Sequence, residues 1–304
     1  SNFRAGVNAG NSIASGGNHN VFIGDEAGTA ITTGFQNVAI GFLALDAEDT
    51  GGRSVAIGTQ ALSAQDNDAS NYNTAVGYQA GLAVTTGTFN TLIGGLAGDG
   101  MTTGATNTAV GASSLSGVVT GANNVAVGYV SLEDVTSGHE NTAVGRSSGL
   151  QLTEGGENVI VGYQALLADT KGHRSVAVGF NALATQNFTS VTNSHNTAVG
   201  YSAGAGVTTG LSNTLIGGLC GDSVTTGDDN VSLGYSSLRS NTASNGNVAV
   251  GSAALYSLNI TGDATYAANT AVGYSSGLYL TTGTDSTFIG AKAGQGITGA
   301  KLTG

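Results

Sequence analysis

The sequence predicts an all-β chain, a parallel β-solenoid of about 17 coils on a 17-residue repeat. Three observations predict it. A pentad, Asn-(Val/Thr)-x-(Ile/Val/Leu)-Gly, occurs 16 times, closing on glycines from Gly24 to Gly290, and 12 of the 15 intervals are 17 residues. Within the pentad the second and fourth residues are always β-branched or aliphatic, two apart, as one face of a strand requires. Turn residues recur at fixed offsets between pentads: the closing glycine, the opening Asn, and Thr-Thr-Gly as at Thr85-Thr86-Gly87.

Numbering the columns from the pentad's Asn, each position has a physical role. Column 1 is Asn 13 times and Ser at Ser54, Ser175 and Ser286. Stacked Asn side chains can hydrogen-bond from coil to coil. Columns 2 and 4 share a face and are expected to fill the coil interior. Column 3, mostly Ala, points the other way, so the strand is apolar on both faces and buried on both. Small side chains there imply a second chain at close approach. Column 5, the glycine, suits a tight turn. Column 6 is Tyr or Phe in half the copies, from Phe42 to Tyr274. Column 8 is always Ala, Ser or Cys, which suggests a second tightly packed strand, so each coil should hold two brief strands and two turns. Column 9 is Leu eight times and Gly eight times. Asn73, Val76 and Gly77, and equally Asn196, Val199 and Gly200, stand for the structural positions of the repeat.

The repeat makes 1–304 a single solenoid domain, with clear copies over 20–304 and a degenerate first coil over 1–19 that contains Gly6-Val7-Asn8-Ala9-Gly10. Three intervals are longer, at 19, 21 and 22 residues. The extra residues fall in 63–72, 184–195 and 256–268, each in the turn before column 1. The frame is interrupted at Lys301-Leu302-Thr303-Gly304 and the chain opens without Met, so a longer fibre is expected.

Composition excludes several classes. Glycine numbers 51 with no proline, which is not a collagen pattern. One cysteine, Cys220, cannot pair within the chain. The net charge is −11, with 8 basic residues, which argues against nucleic acid as a partner. Charged residues are 9% of the chain, against about 25% in ordinary domains. Yet 40% are hydrophobic, too many for a disordered segment. No apolar run is long enough for a membrane helix, so membrane anchoring would come only through segments outside this sequence.

The columns Asn-Thr-Ala-Val-Gly-Tyr-x-Ala followed by Thr-Thr-Gly, as in Asn73 to Ala80 and Asn196 to Ala203, resemble the head repeats of YadA-like trimeric autotransporter adhesins and the β-rolls of phage tail fibres. The resemblance covers 20–294. It implies a left-handed parallel β-roll with three chains side by side. It also implies a non-enzymatic fibre segment, shaft or head, extracellular on a cell surface or virion. Its partners would be itself, as a homotrimer, and a host-cell surface receptor or glycan. The 17-residue coil departs from the shorter coils of YadA heads.

Chemistry-bearing residues are few and scattered. The acids of column 10 (Asp46, Asp99, Glu133, Asp222) do not align in adjacent coils, so the carboxylate pair of a glycosidase is not formed. The histidines His19, His139, His173 and His195 fall in the turn before column 1 and are expected to be exposed. Cys220 replaces Ala or Ser in column 8 and is expected to be a buried small residue. No catalytic, metal or cofactor-binding residue is identified, and no cofactor is expected. Ligand contact is expected at the insertions, which carry Tyr72, Phe188, Tyr256 and Tyr266. The alternative function is an ice- or crystal-binding face of ranked threonines, although the adjacent threonines of Thr-Thr-Gly point opposite ways. A tailspike-type glycan-processing enzyme comes third.

Overall fold

The computed structural model describes residues 1–260 and 266–299. Two compact units, Ser1–Glu154 and Gly155–Gly304, carry the same coil. In the first, nine strands pair in parallel and in sequence order, from Phe3–Ala5 and Val21–Ile23 through Val125–Val127 to Thr142–Val144. In the second, eight strands do so, from Val159–Val161 and Val176–Val178 to Thr270–Val272 and Thr287–Ile289. The register is residue for residue, as Val125↔Thr142, Ala126↔Ala143 and Val127↔Val144. The chain is thus an all-β parallel solenoid of about 17 turns, with no helix among the described residues.

Each coil has one three-residue strand, where two were expected; among the described residues two coils add a two-residue strand in the turn before column 1, Gly172–His173 pairing with Thr192–Asn193. The column 8 segment is turn, not strand. It is bent by residues in the left-handed region at columns 7 and 9, such as Leu43 (φ 55°) and Leu45 (φ 52°), and column 17 adds another, such as Arg53 (φ 65°). Such φ values cost a non-glycine residue about 1–2 kcal/mol. Bonds between coils offset that cost: Leu43 N–H donates to Asp25 O at 3.2 Å and Leu45 N–H to Ala61 O at 3.0 Å.

The strand is turned inside out relative to expectation. Column 3 fills the interior: Ala39, Ala56, Ala75, Ala109 and Ala126 are fully buried. Columns 2 and 4 face outward; the strand Val125–Val127 is half-buried at Val125 and Val127 and buried at Ala126. The rest of the core comes from column 8 (Ala44, Ala61, Cys220), the leucines of column 9 (Leu45, Leu62, Leu115, Leu132), and column 12 (Ile31, Val84, Met101, Val135). In so thin a coil, an inward strand residue opposite Leu is small in all but one case. Where column 3 is large, column 9 shrinks, except at Ile160, which is buried with Leu166 in column 9 of its own coil. Phe22, Leu92, Leu215 and Phe288 each have glycine in column 9 of their own coil and of the coil before. A Cβ on Gly98 would lie 2.8 Å from Leu92, and one on Gly28 2.5 Å from Phe22. This exchange of volume between two columns accounts for seven of the eight glycines in column 9.

The expected asparagine ladder is present. Asn20 Oδ1 accepts from Asn37 N–H at 2.8 Å, and Asn20 Nδ2 donates to Gly34 O at 2.9 Å. The same pair of bonds recurs at Asn90, Asn107 and Asn124, all fully buried. Asn107→Ala removes the partners of Asn124 N–H and Gly121 O inside the coil. We expect a loss of about 2–4 kcal/mol, since each buried unsatisfied group costs about 1–3 kcal/mol. A denaturant titration checks this, and an unchanged midpoint would mean the ladder is ornamental.

Candidate interaction surface

No enclosed pocket is present among the described residues. Three features stand out on the coils: the outward strand face, the aromatic ranks and the insertions.

The outward face is built by columns 2 and 4. In the first unit, eight successive strands from Val21–Ile23 to Thr142–Val144 each present one Val or Thr and one Ile or Val. Val76 and Val199 are half-buried here, while Ile93 and Ile216 are each 40% exposed. The spacing along the face is that of paired strands, about 4.8 Å. The column 2 hydroxyls of Thr74, Thr91 and Thr108 lie on it. The column 13 threonines are committed to neighbouring coils, as Thr85 Oγ1 donates to Thr102 O (3.3 Å) and Thr225 Oγ1 to Thr242 O (2.9 Å).

Gly77 and Gly200 let neighbouring coils approach closely at the end of this face. They have φ of 146° and 140°, and a Cβ would lie 2.3 Å from Gly94 O or 2.6 Å from Gly217 O. Asn73 and Asn196 anchor the adjoining strands, donating to Gly87 O and Gly210 O, each at 2.7 Å.

Column 6 is an exposed rank. Tyr163 stacks on Phe180 with ring centroids 5.1 Å apart, and Phe180 on Tyr201 at 5.4 Å. Stacked this way the rings cover one another's faces and show their edges. Tyr78, Tyr235 and Tyr274 of the same column are more than half exposed and are in none of these stacks.

The insertions sit at the same point of their coils. In each, the residue two before column 17 pairs with column 16 of the preceding coil: Ser70 with Gly52, Asn193 with His173, and Tyr266 with Asn245. Of the expected contact residues, Tyr72 and Tyr266 are exposed. Tyr256 is half-buried and takes a cation-π contact from Arg239. Phe188 corrects the expectation: it is only 6% exposed. Its loop folds inward because Phe188 N–H donates to buried Asp169 Oδ1 at 3.1 Å. His173 is likewise buried rather than exposed. Part of the third insertion, 261–265, lies outside the described residues, as do 300–304 and the sequence expectation placed on them.

Column 12 carries a device that sequence analysis missed. Where column 1 is Ser, at Ser54 and Ser175, the Asn carboxamide is absent. A glutamine from column 12 of the same coil replaces it. Gln65 Nε2 donates to Ser54 Oγ (2.9 Å), and Gln65 Oε1 accepts from Asn73 Nδ2 (2.8 Å). Gln186 does the same between Ser175 and Asn196, at 2.9 Å each. Each glutamine also donates to a buried carboxylate one coil earlier, Gln65 to Glu48 at 2.9 Å and Gln186 to Asp169 at 2.6 Å. Those carboxylates tie down the insertions through Asn71 Nδ2 (2.8 Å) and Phe188 N–H (3.1 Å). The signal was in the sequence: an acid, then Ser in column 1, then Gln, before two of the three long turns.

Burial pushes the carboxyls of Glu48 and Asp169 up, against the hydrogen bonds that favour ionisation. The sign follows by linkage: an acid raised in the folded state is most favourable to folding below its unfolded pKa. That stability is lost as pH rises through the folded value. The carboxylates of Glu48, Asp49 and Asp66 come within 4.8 Å of one another. Glu48 already accepts from Gln65, Asn71 and Gly51. Burial also pushes the Cys220 thiol up to about 11, away from the thiolate a nucleophile needs.

No protein-family model, curated protein or solved structure matches the chain.

Proposed function

We propose that the chain is a non-enzymatic structural and adhesive fibre segment, a left-handed β-roll that assembles as a homotrimer on a cell surface or virion and serves attachment. The observation that carries this is the outward strand face. Val, Ile and Thr repeat on it at every coil, and a row of exposed apolar side chains this regular exceeds the patch that monomers usually leave wet. A second copy of the chain is the natural occupant, because identical coils bring apolar columns into register along the whole face. The partner-facing stripe is therefore columns 2 and 4, not the small column 3 that the sequence suggested. The resemblance of the repeat to trimeric adhesins and tail fibres supports the same assembly. The receptor or surface glycan would be met by the insertions, where the repeat is broken.

Light scattering at micromolar concentration tests the proposal. The expected mass is three times the 29.7 kDa of the chain; a monomer would overturn it. The alternative of an ice- or crystal-binding face draws on the outward threonines of column 2. It requires thermal hysteresis, which a fibre segment would not show.

A further inference from the structure

Two arginines occupy column 17 directly before a column 1 serine: Arg174 before Ser175 and Arg53 before Ser54. Each reaches back one coil to the column 17 residue there. Arg174 meets Glu157, Nε to Oε2 at 2.9 Å and Nη2 to Oε1 at 3.4 Å, a two-pronged ion pair. Arg53 meets Gln36, Nε to Oε1 at 3.1 Å. The geometry is the same and the charge is not, since an amide stands where the other site has a carboxylate.

The rest of the Arg53 environment is also neutral. Nη1 donates to Ser70 Oγ at 3.1 Å and to the Tyr72 hydroxyl. The guanidinium lies over the Phe35 ring (5.3 Å) and the Tyr72 ring (5.2 Å), and Tyr72 stacks on Phe89 at 5.1 Å. No acid lies within ion-pair distance of Arg53 among the described residues. Asp68, close by in the insertion, accepts instead from Thr50 Oγ1 at 2.7 Å. Arg53 is exposed, and its Nη2 has no protein acceptor.

Four consecutive coils thus build a ladder, Phe35, Arg53, Tyr72, Phe89, whose inner faces are spent on one another. What it offers outward is its edge. Aromatic edges carry the positive end of the ring quadrupole, and Nη2 carries two free N–H donors in the guanidinium plane. A charged donor of this kind selects an anion, and a carboxylate oxygen accepts from it in a short charge-assisted bond. The net negative charge of the chain opposes this only locally, because salt screens charges beyond about 8 Å. Around the cation stand an amide (Gln36) and two hydroxyls (Ser70, Tyr72), which suit a hydroxyl-bearing ring. There is no apolar pocket for a peptide's anchoring side chain.

We propose that the Arg53 edge of the first insertion binds the carboxylate of an acidic sugar, such as a uronic acid unit of a surface glycan. The anion site stands on the geometry alone; its role in attachment rests on the function proposed above, which the mass measurement tests separately.

The test uses the whole chain labelled with [15N]arginine, whose five arginines give few Nε signals. Tri-galacturonate is titrated alongside neutral maltotriose and triglutamate. The expected result is a saturable shift of the Arg53 signal with tri-galacturonate, none with maltotriose, and a weaker one with triglutamate. Gln36→Glu, which copies the Arg174–Glu157 pair, should lower the affinity about tenfold or more while circular dichroism and the Arg174 signal stay unchanged. Arg53→Lys, followed by amide shifts, should retain weakened binding. The proposal is overturned by no saturable shift at millimolar tri-galacturonate, by Gln36→Glu binding as well as the parent, or by maltotriose binding equally. Equal binding of triglutamate would overturn the sugar as ligand class.

Discussion

Ala126→Asp should unfold the central coils of the first unit, whereas Val127→Asp, one residue along, should leave the coil folded. Ala126 is fully buried, between Ala109 and Ala143 of the adjoining coils. A carboxylate there has neither water nor a cation, and burying it unpaired costs several kcal/mol. Solenoid coils are coupled to their neighbours, so the damage spreads along the stack. Val127 is on the outward face and half-exposed. A charge there costs the isolated coil no more than about 1 kcal/mol, the span of strand propensity. Its effect should appear in assembly instead, as a fall to monomer mass with the β circular dichroism kept. The two variants separate the inside of the strand from its partner face. If Val127→Asp melted the fold and Ala126→Asp did not, the strand orientation would be reversed.

Gly128→Ala should rank with the most damaging single changes. Gly128 has φ +138°, and a Cβ would sit 2.5 Å from Gly145 O in the next coil. Both objects are backbone, so no flexible side chain can move aside. The methyl must either force the coils apart or twist the corner out of the left-handed region. A non-glycine residue held in such a region costs about 1–3 kcal/mol before the clash is counted. We expect a loss of about 3 kcal/mol or more, in the range reserved for backbone strain and core disruption. The midpoint of chemical denaturation is the measure, and a shift no larger than that of a surface substitution would refute the account.

The candidate site was partly legible. Tyr72 and Tyr266 could be placed on the insertions because long turns in a repeat go to the surface. Phe188 could not, since nothing local shows that buried Asp169 pulls its loop inward. Arg53 went unnoticed for a related reason. Its meaning depends on Gln36 one coil back and Tyr72 one coil ahead, contacts that exist only once the coils stack.

What the sequence by itself determined is the coil: its 17-residue period, one strand per pentad, the Asn ladder and the glycine corner. Each is a local requirement repeated in place, a hydrogen bond or a dihedral that one residue type satisfies. What only the tertiary structure decided is which side of the strand lies inside. Column 3 is apolar and so are columns 2 and 4, so hydropathy could not choose between them, and larger side chains seemed the better core. Volume made the choice. The coil closes around a single strand, and its interior is already occupied by Leu45 or Leu62 from column 9 and Ile31 or Val84 from column 12. Alanine is the usual fit opposite them, and the larger Phe22 and Leu92 each find a glycine in place of leucine. Packing against residues several columns away thus sends the β-branched side chains outward, onto the face proposed for other chains to cover.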